Sequence, residues 1–74
     1  MNRLPSLTAA KIVRALKRAG FLEVEQKGSH LTFVNKLTGC GTTVPMHSGD
    51  VKRNLMKEII QQAGLSENEF RKFL

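Results

Sequence analysis

The chain has 74 residues, which suffices for one domain with a thin core and no deep enclosed pocket. Twelve lysines and arginines against six acidic residues leave a formal charge of +6 and favour an acidic partner: nucleic acid, an anionic membrane or an acidic protein. A single cysteine excludes an internal disulfide framework, and the cysteine and two histidines lack the spacing of a zinc site, so no metal is expected.

The sequence contains no segment typical of membrane insertion. No run of about 18 apolar residues occurs, and Lys11 and Arg14 interrupt the N-terminal region where a signal peptide needs an apolar stretch. The sequence therefore predicts a soluble, cytoplasmic protein without a membrane partner, organised as one domain over residues 1–74.

The first predicted element is an amphipathic helix in TAAKIVRALKRAG, residues 8–20. Its apolar residues recur at helical spacing, with the basic residues on the opposite side. Thr8 is a suitable N-cap and Gly20 a suitable C-terminal stop. Phe21 follows at the position where an apolar residue packs back against Leu16.

Three short strands are predicted next, in FLEVEQK, SHLTFVNK and GTTVPMH. In the first, Leu22 and Val24 share one face, which is typical of a half-buried antiparallel strand. In the second, Leu31 and Phe33 share the core face and leave His30 on the other. The third separates the core-facing Val44 and Met46 from Thr43, Pro45 and His47 in the same way.

A second helix is predicted in DVKRNLMKEIIQQAG, with its start between Ser48 and Asp50 and its end at Gly64. SENEF then has the pattern of a capping box, with Ser66 as N-cap and Glu69 three residues later. A last short helix should therefore carry three apolar residues, Phe70, Phe73 and Leu74. The predicted fold is α+β, with the order α-β-β-β-α and a short C-terminal helix. The antiparallel sheet has its helices on one face and its other face open.

The register of strands two and three determines where the histidines lie. If these strands form a hairpin with its tip at Thr38-Gly39, paired positions sum to 77 and apolar residues face each other. The same register sets His30 opposite His47 on the open face, with Cβ atoms about 4.5 to 5.5 Å apart.

Each of these residues also has a simpler structural interpretation. A lone histidine on a strand is most often an ordinary surface residue, and Ser29 suits the start of a strand or the cap of a turn. Cys40 fits a hairpin loop as a small residue. The sequence pattern alone leaves these alternatives open.

The assembled motifs resemble the HicA family of toxin ribonucleases, also called YcfA-like proteins, over residues 4 to about 70. The similarity lies in four segments in this order: AGF at the end of the first helix, KGSH, VPMHSGDV and IIQQAGLSENEF. The glycine-serine-histidine and proline-x-histidine elements are fairly specific when they occur together.

This resemblance implies a dsRBD-like fold, named for the double-stranded-RNA-binding domain, and an mRNA interferase. It implies the toxin of a two-gene system, whose HicB-type antitoxin binds and masks the active face. The family's catalytic histidine corresponds to His30, with Gly28 and Ser29 as its flanking motif. His47 corresponds to the second motif histidine, whose role the resemblance leaves open.

Histidine chemistry suits such an enzyme without a metal or other cofactor. Imidazole has an ordinary pKa of about 6.5, so both protonation states are accessible at neutral pH for proton transfer in RNA cleavage. Lys27 and Lys36 are the candidate contacts to RNA phosphate. Because no Trp or Tyr is present and the four Phe are assigned to core or cap positions, weak RNA sequence preference is expected.

Two other functions fit the same sequence. The first is a nonenzymatic RNA-binding module in which the basic side of the first helix contacts phosphates. The second is a small adaptor whose positive face binds an acidic protein.

Overall fold

The computed structural model describes residues 4–46 and 49–74. Within these ranges the elements are α1 (Ala9–Arg18), β1 (Leu22–Lys27), β2 (His30–Val34), β3 (Gly41–Pro45), α2 (Arg53–Gln62) and α3 (Glu67–Arg71). The strands form one antiparallel sheet in the order β1-β2-β3. The predicted α+β fold, with its α-β-β-β-α order and short terminal helix, is confirmed.

Helix α1 begins and ends as its sequence predicts. The Thr8 side chain accepts a hydrogen bond from the Lys11 amide at 3.3 Å. At the other end, the Phe21 amide donates to the Leu16 carbonyl at 2.9 Å, one of the two bonds of a Schellman motif. Phe21 is buried there, so the chain turns from α1 directly into the sheet.

The core lies between one face of the sheet and the helices α1 and α2. Leu31 and Phe33 of β2 and Val44 of β3 are buried on this face, as predicted. The helices contribute buried apolar side chains that pack in the same cluster, among them Ile12, Leu16, Met56, Ile59 and Ile60. His30 and the alternate residues of β2 therefore lie on the opposite, helix-free face of the sheet.

The predicted burial of strand β1 is wrong. All six of its residues are exposed, and Leu22 and Val24 each keep 53% of their surface in solvent. β1 is an edge strand, and a β-bulge shifts its register between Glu23 and Glu25. Because side chains alternate between faces, a shift of one residue moves the following side chains to the other face. The alternating pattern of β1 therefore does not correspond to one buried face.

The predicted register of β2 and β3 is also wrong. His30 pairs with Pro45 and Leu31 with Val44, so paired positions sum to 75 instead of 77. A shift of two residues preserves which face each side chain occupies, and the predicted faces are therefore correct. His30 lies opposite Pro45 and not opposite His47. Both His47 and Ser48 lie outside the described residues.

A four-residue loop, Lys36–Gly39, causes this shift. Its ends are joined by a hydrogen bond of 2.8 Å from the Asn35 amide to the Cys40 carbonyl. The Asn35 side-chain oxygen accepts from the Leu37 amide at 2.9 Å, and its amide nitrogen donates to the Ala19 carbonyl at 3.4 Å. Asn35 thus organises the loop and links it to the end of α1. An Asn with local backbone bonds favours a longer turn over a two-residue loop.

Helix α2 starts later than predicted. Its first residue is Arg53, with Lys52 as the N-cap, so a start at Asp50 is wrong. Asp50 instead forms an isolated β-bridge with Thr8, and the Val51 amide donates to the Leu7 carbonyl at 2.8 Å. This extended pairing requires backbone angles that a helix does not have.

Helix α3 has the predicted capping box. The Ser66 side chain accepts from the Glu69 amide at 3.1 Å, and the Glu69 carboxylate accepts from the Ser66 amide at 2.9 Å. The backbone hydrogen bond from Ser66, then its side-chain bond, lowers the pKa of the Glu69 carboxyl group. The cap supports Phe70, which is fully buried, whereas Leu74 remains 44% exposed.

Two glycines offer a matched test of packing against α2. Gly39 and Gly64 have nearly the same positive φ, 77° and 75°. A Cβ on Gly39 meets nothing within 4 Å, whereas a Cβ on Gly64 lies 2.7 Å from the Cys40 sulfur. We expect Gly39→Ala to lower the free energy of unfolding by about 1 to 2 kcal/mol from backbone strain alone. Gly64→Ala should cost clearly more, because the sulfur must also move.

Urea denaturation of both variants measures the difference. Adding Cys40→Ala should restore part of the additional unfolding free energy that Gly64→Ala loses. It should restore none of the unfolding free energy that Gly39→Ala loses. Equal losses in the two single variants would contradict the close approach of Cys40 to Gly64.

Candidate functional site

A two-residue turn brings the sequence motif together. Gly28 and Ser29 connect β1 to β2, and Gly28 has φ of 61°, which suits the first position of a type II′ turn. Lys27 and His30 are therefore paired directly across this turn. The Met46 amide donates to the Ser29 carbonyl, so the chain that leaves β3 lies beside the same turn.

His30 occupies the centre of the sheet at this end. As the first residue of the middle strand, it pairs with Lys27 on one side and with Pro45 on the other. Directly paired residues have Cβ atoms about 4.5 to 5.5 Å apart, so both side chains are neighbours of the imidazole. His30 is exposed on the helix-free face. The imidazole is thus accessible to a polymer that lies across the sheet.

Helix α2 lies beside this face at the β3 edge of the sheet and forms the second wall of a groove of about 370 Å³. The strands contribute His30, Thr43 and Pro45 to the lining, and α2 contributes Leu55, Glu58, Ile59 and Gln62. The four helical positions follow the pattern i, i+3, i+4, i+7 and so lie on one side of α2. We refer to these seven residues as the histidine groove.

Hydrogen bonds hold the helical wall against β3. The Thr42 hydroxyl donates to the Ile59 carbonyl at 2.9 Å, and its oxygen also lies 3.4 Å from the side-chain oxygen of Gln62. On the groove side of the sheet, the hydroxyl oxygens of Thr32 and Thr43 are 3.3 Å apart. Gln62 thus lies beside Thr42 at the β3 edge of the sheet, and it also lines the histidine groove.

The structure separates the two candidate phosphate-binding lysines. Lys27 is the neighbour of His30, whereas Lys36 is exposed in the loop beyond the far end of β2. The length of β2 from His30 to Val34 is about 13 Å, and Lys36 lies beyond its far end. Lys27 is therefore the candidate for a phosphate at His30, and Lys36 is suited only to a phosphate elsewhere on a bound chain.

The sequence interpretation missed the α2 wall of the groove. The spacing of Leu55, Glu58, Ile59 and Gln62 predicts a shared helix side, but the apolar character of Leu55 and Ile59 favours a side that faces the core. In the structure Ile59 is buried, while Leu55 is 38% exposed at the groove. Which strand this helix side faces follows only from the packing of α2 on β3.

A second groove, of about 360 Å³, lies on the solvent side of α1. Three basic residues, Lys11, Arg14 and Arg18, line it together with Leu7, Phe73 and Leu74. The Arg18 guanidinium donates to the Phe73 carbonyl at 3.1 Å and so connects α1 to the C-terminal residues. Because α1 covers the core face of the sheet, this basic groove lies on the other side of the molecule from His30.

The described residues contain neither a metal-ligand group nor a membrane-spanning helix. Within residues 4–46 and 49–74, no three His, Cys, Asp or Glu side chains form a group that could hold a metal ion. In the same ranges, no helix is long and apolar enough to cross a membrane.

These observations define a class of protein: a small basic α+β domain with an exposed histidine on the open face of a three-stranded antiparallel sheet. The family model described as the HicA toxin of bacterial toxin-antitoxin matches residues 9–65. Since the match covers well over half of the 74 residues, the chain belongs to the HicA toxin family. The resemblance expected from the sequence motifs is confirmed. A comparison with curated proteins gives no match.

Proposed function

We propose that this toxin is a metal-independent endoribonuclease that cleaves mRNA with His30 as its general acid and base. One observation carries the proposal: the motif histidine of a HicA toxin is exposed at the centre of an open sheet face, paired with a lysine. An open face accepts an extended RNA chain, and imidazole is the side chain best suited to proton transfer at neutral pH.

The proposed reaction is an internal transfer on the RNA. His30 takes the proton of the ribose 2′-hydroxyl, whose oxygen then bonds to the adjacent phosphorus. The bond from phosphorus to the 5′-oxygen breaks, and this oxygen receives a proton. The products are a 2′,3′-cyclic phosphate and a 5′-hydroxyl end. His47 is retained as a candidate for the acid that protonates the 5′-oxygen, with Gly28 and Ser29 positioning His30.

Lys27 is proposed to bind the phosphate under attack. Its ammonium group is the cationic neighbour of His30 across the two-residue turn. Positive charge aimed at developing negative charge is often the largest single contribution to catalysis. Lys36 is proposed to bind a phosphate further along the RNA.

The proposed antitoxin partner, of the HicB type, covers the open face. Edge strand β1 exposes Leu22 there, with 53% of its surface in solvent, and Val24 is equally exposed at the bulge of the same strand. Leu22 pairs with Val34, which lies on the same face as His30. Apolar surface of this kind is typical of a protein-binding site, and a partner bound to it excludes RNA from the imidazole.

Incubation of the purified toxin with end-labelled mRNA in the presence of EDTA tests the proposal. We expect cleavage to products with 2′,3′-cyclic phosphate and 5′-hydroxyl ends, no cleavage of a 2′-O-methyl copy of the RNA, and inhibition by a HicB-type antitoxin. Cleavage that requires a divalent metal, or products with 5′-phosphate ends, would contradict the proposed mechanism.

A nonenzymatic RNA-binding module is the second candidate function, and the basic groove on α1 favours it. Lys11, Arg14 and Arg18 line this groove on the side of the molecule away from His30. If that function is correct, the protein binds RNA without cleaving it, and Arg14→Glu weakens binding more than Lys27→Glu does.

A further inference from the structure

We propose that the histidine groove holds one RNA base beside the scissile phosphate and that Glu58 selects guanine at this position. The inference rests on the proposed ribonuclease function and adds a determinant of specificity on α2. It predicts a base preference, contrary to the weak preference expected from the lack of aromatic residues.

The groove has apolar walls that suit the faces of a base. Pro45 on the sheet side and Leu55 and Ile59 on the helix side all line it. Proteins hold an unstacked base between aromatic or apolar side chains and recognise it by hydrogen bonds to its edge. The volume of the histidine groove, about 370 Å³, lies within the range of small-molecule pockets, which is about 300 to 1,000 Å³.

The charge distribution determines which part of the RNA enters. Glu58 lines the helical wall and carries a negative charge, which disfavours a phosphate at that wall. Lys27 lies on the other side of His30, at the edge strand β1. A nucleotide at His30 is therefore oriented with its phosphate toward Lys27 and its base toward α2.

The Glu58 carboxylate discriminates among bases because it only accepts hydrogen bonds. Guanine presents two adjacent donors on its Watson–Crick edge, N1–H and the N2 amino group, and these match the two carboxylate oxygens. Adenine and cytosine each present a single amino group next to an acceptor. Uracil presents one N–H between two carbonyl oxygens, which the carboxylate repels.

Gln62 supports the same edge of the groove. It lies one helical turn after Glu58 and also lines the groove. An amide carries both donors and an acceptor, so Gln62 contributes a further polar contact without the selectivity of a carboxylate.

Oligodeoxynucleotides with a single ribonucleotide test this inference, because cleavage can occur at one phosphate only. Two sets of substrates are compared. One set varies the base before that phosphate and the other varies the base after it, and in each set the base is guanine, hypoxanthine, adenine, cytosine or uracil. We expect guanine to exceed uracil about 10-fold in kcat/KM at one of the two positions. Hypoxanthine, which lacks the N2 amino group, should fall between them. Glu58→Gln should reduce the ratio to less than about 3-fold.

Glu23→Gln is the matched control, because it removes the same charge on β1, opposite Phe33 and outside the groove. Its base preference should equal that of the wild type. Equal rates on all bases, or an unchanged preference in Glu58→Gln, would overturn the inference while leaving the ribonuclease function intact.

A binding measurement distinguishes failure of the inference from failure of the proposed function. Fluorescence anisotropy with 2′-O-methyl oligonucleotides reports base preference without cleavage. If the wild type cleaves no substrate but binds guanine more tightly in a Glu58-dependent way, the groove is a base-binding site and the ribonuclease proposal fails. Binding without base preference, together with no cleavage, overturns both.

Discussion

Substitution of His30 by glutamine is expected to abolish RNA cleavage and the growth arrest that accompanies expression of the toxin. Glutamine keeps a polar side chain at this exposed strand position but cannot act as a general acid or base near neutral pH. Positioned general acid or base groups contribute about 10²- to 10⁴-fold to rate. We therefore expect the rate of cleavage of end-labelled RNA to fall at least about 100-fold.

Thr32→Ser is the matched control for this experiment, because Thr32 is the next residue of β2 on the same face. Its hydroxyl contact with Thr43 is kept, and cleavage should remain close to the wild-type rate. Equal melting temperatures of His30→Gln and the wild type would show that the fold is intact. Wild-type cleavage by His30→Gln would remove His30 from the mechanism.

His47→Gln tests whether a second histidine acts with His30. If His47 donates the proton to the leaving 5′-oxygen, the substitution lowers the cleavage rate and removes one limb of the pH–rate profile. A leaving group with a low pKa in place of the 5′-oxygen should restore the rate. An unchanged rate and pH profile would exclude His47 from catalysis.

Truncation of a buried leucine is expected to have the largest effect on stability. Leu16 of α1 is fully buried, and Leu→Ala changes at such positions cost about 2 to 5 kcal/mol. A chain of this length is expected to have a total stability of about 4 to 11 kcal/mol. Leu16→Ala should therefore remove a large share of the stability and lower the melting temperature by about 8 °C or more, at about 4 to 8 °C per kcal/mol.

Leu37→Ala makes the same chemical change at a position that is 96% exposed. It should alter the free energy of unfolding by no more than about 0.5 kcal/mol. Urea denaturation followed by circular dichroism measures both variants. If both variants lost a similar amount of unfolding free energy, the exposed position of Leu37 would be contradicted.

The elements predicted with most success have local signals at their ends. Thr8 and Phe21 delimit α1, and Ser66 and Glu69 cap α3, and all four make the contacts that their positions predict. Such caps join residues only three to five positions apart. Their hydrogen bonds therefore depend on nearby sequence and not on the rest of the fold.

Predictions that depended on distant pairing were less successful. The β2–β3 register is shifted because Asn35 bonds to its own loop and to Ala19, sixteen residues earlier in the chain. The start of α2 is delayed because residues 50 and 51 pair with the segment before α1. In both cases, a contact between segments far apart in the sequence outweighed the local pattern.

The local sequence is enough to predict which face of the sheet carries His30, because alternation along β2 places Leu31 and Phe33 in the core. It also determined the family, through the motifs around His30 and His47. The neighbours of His30 follow from the fold as a whole: Lys27 across the Gly28-Ser29 turn, Pro45 on β3, and a groove shared with Glu58 of α2. Alternation specifies a face within one strand, whereas neighbours depend on loop length, bulges and the packing of a helix against the sheet.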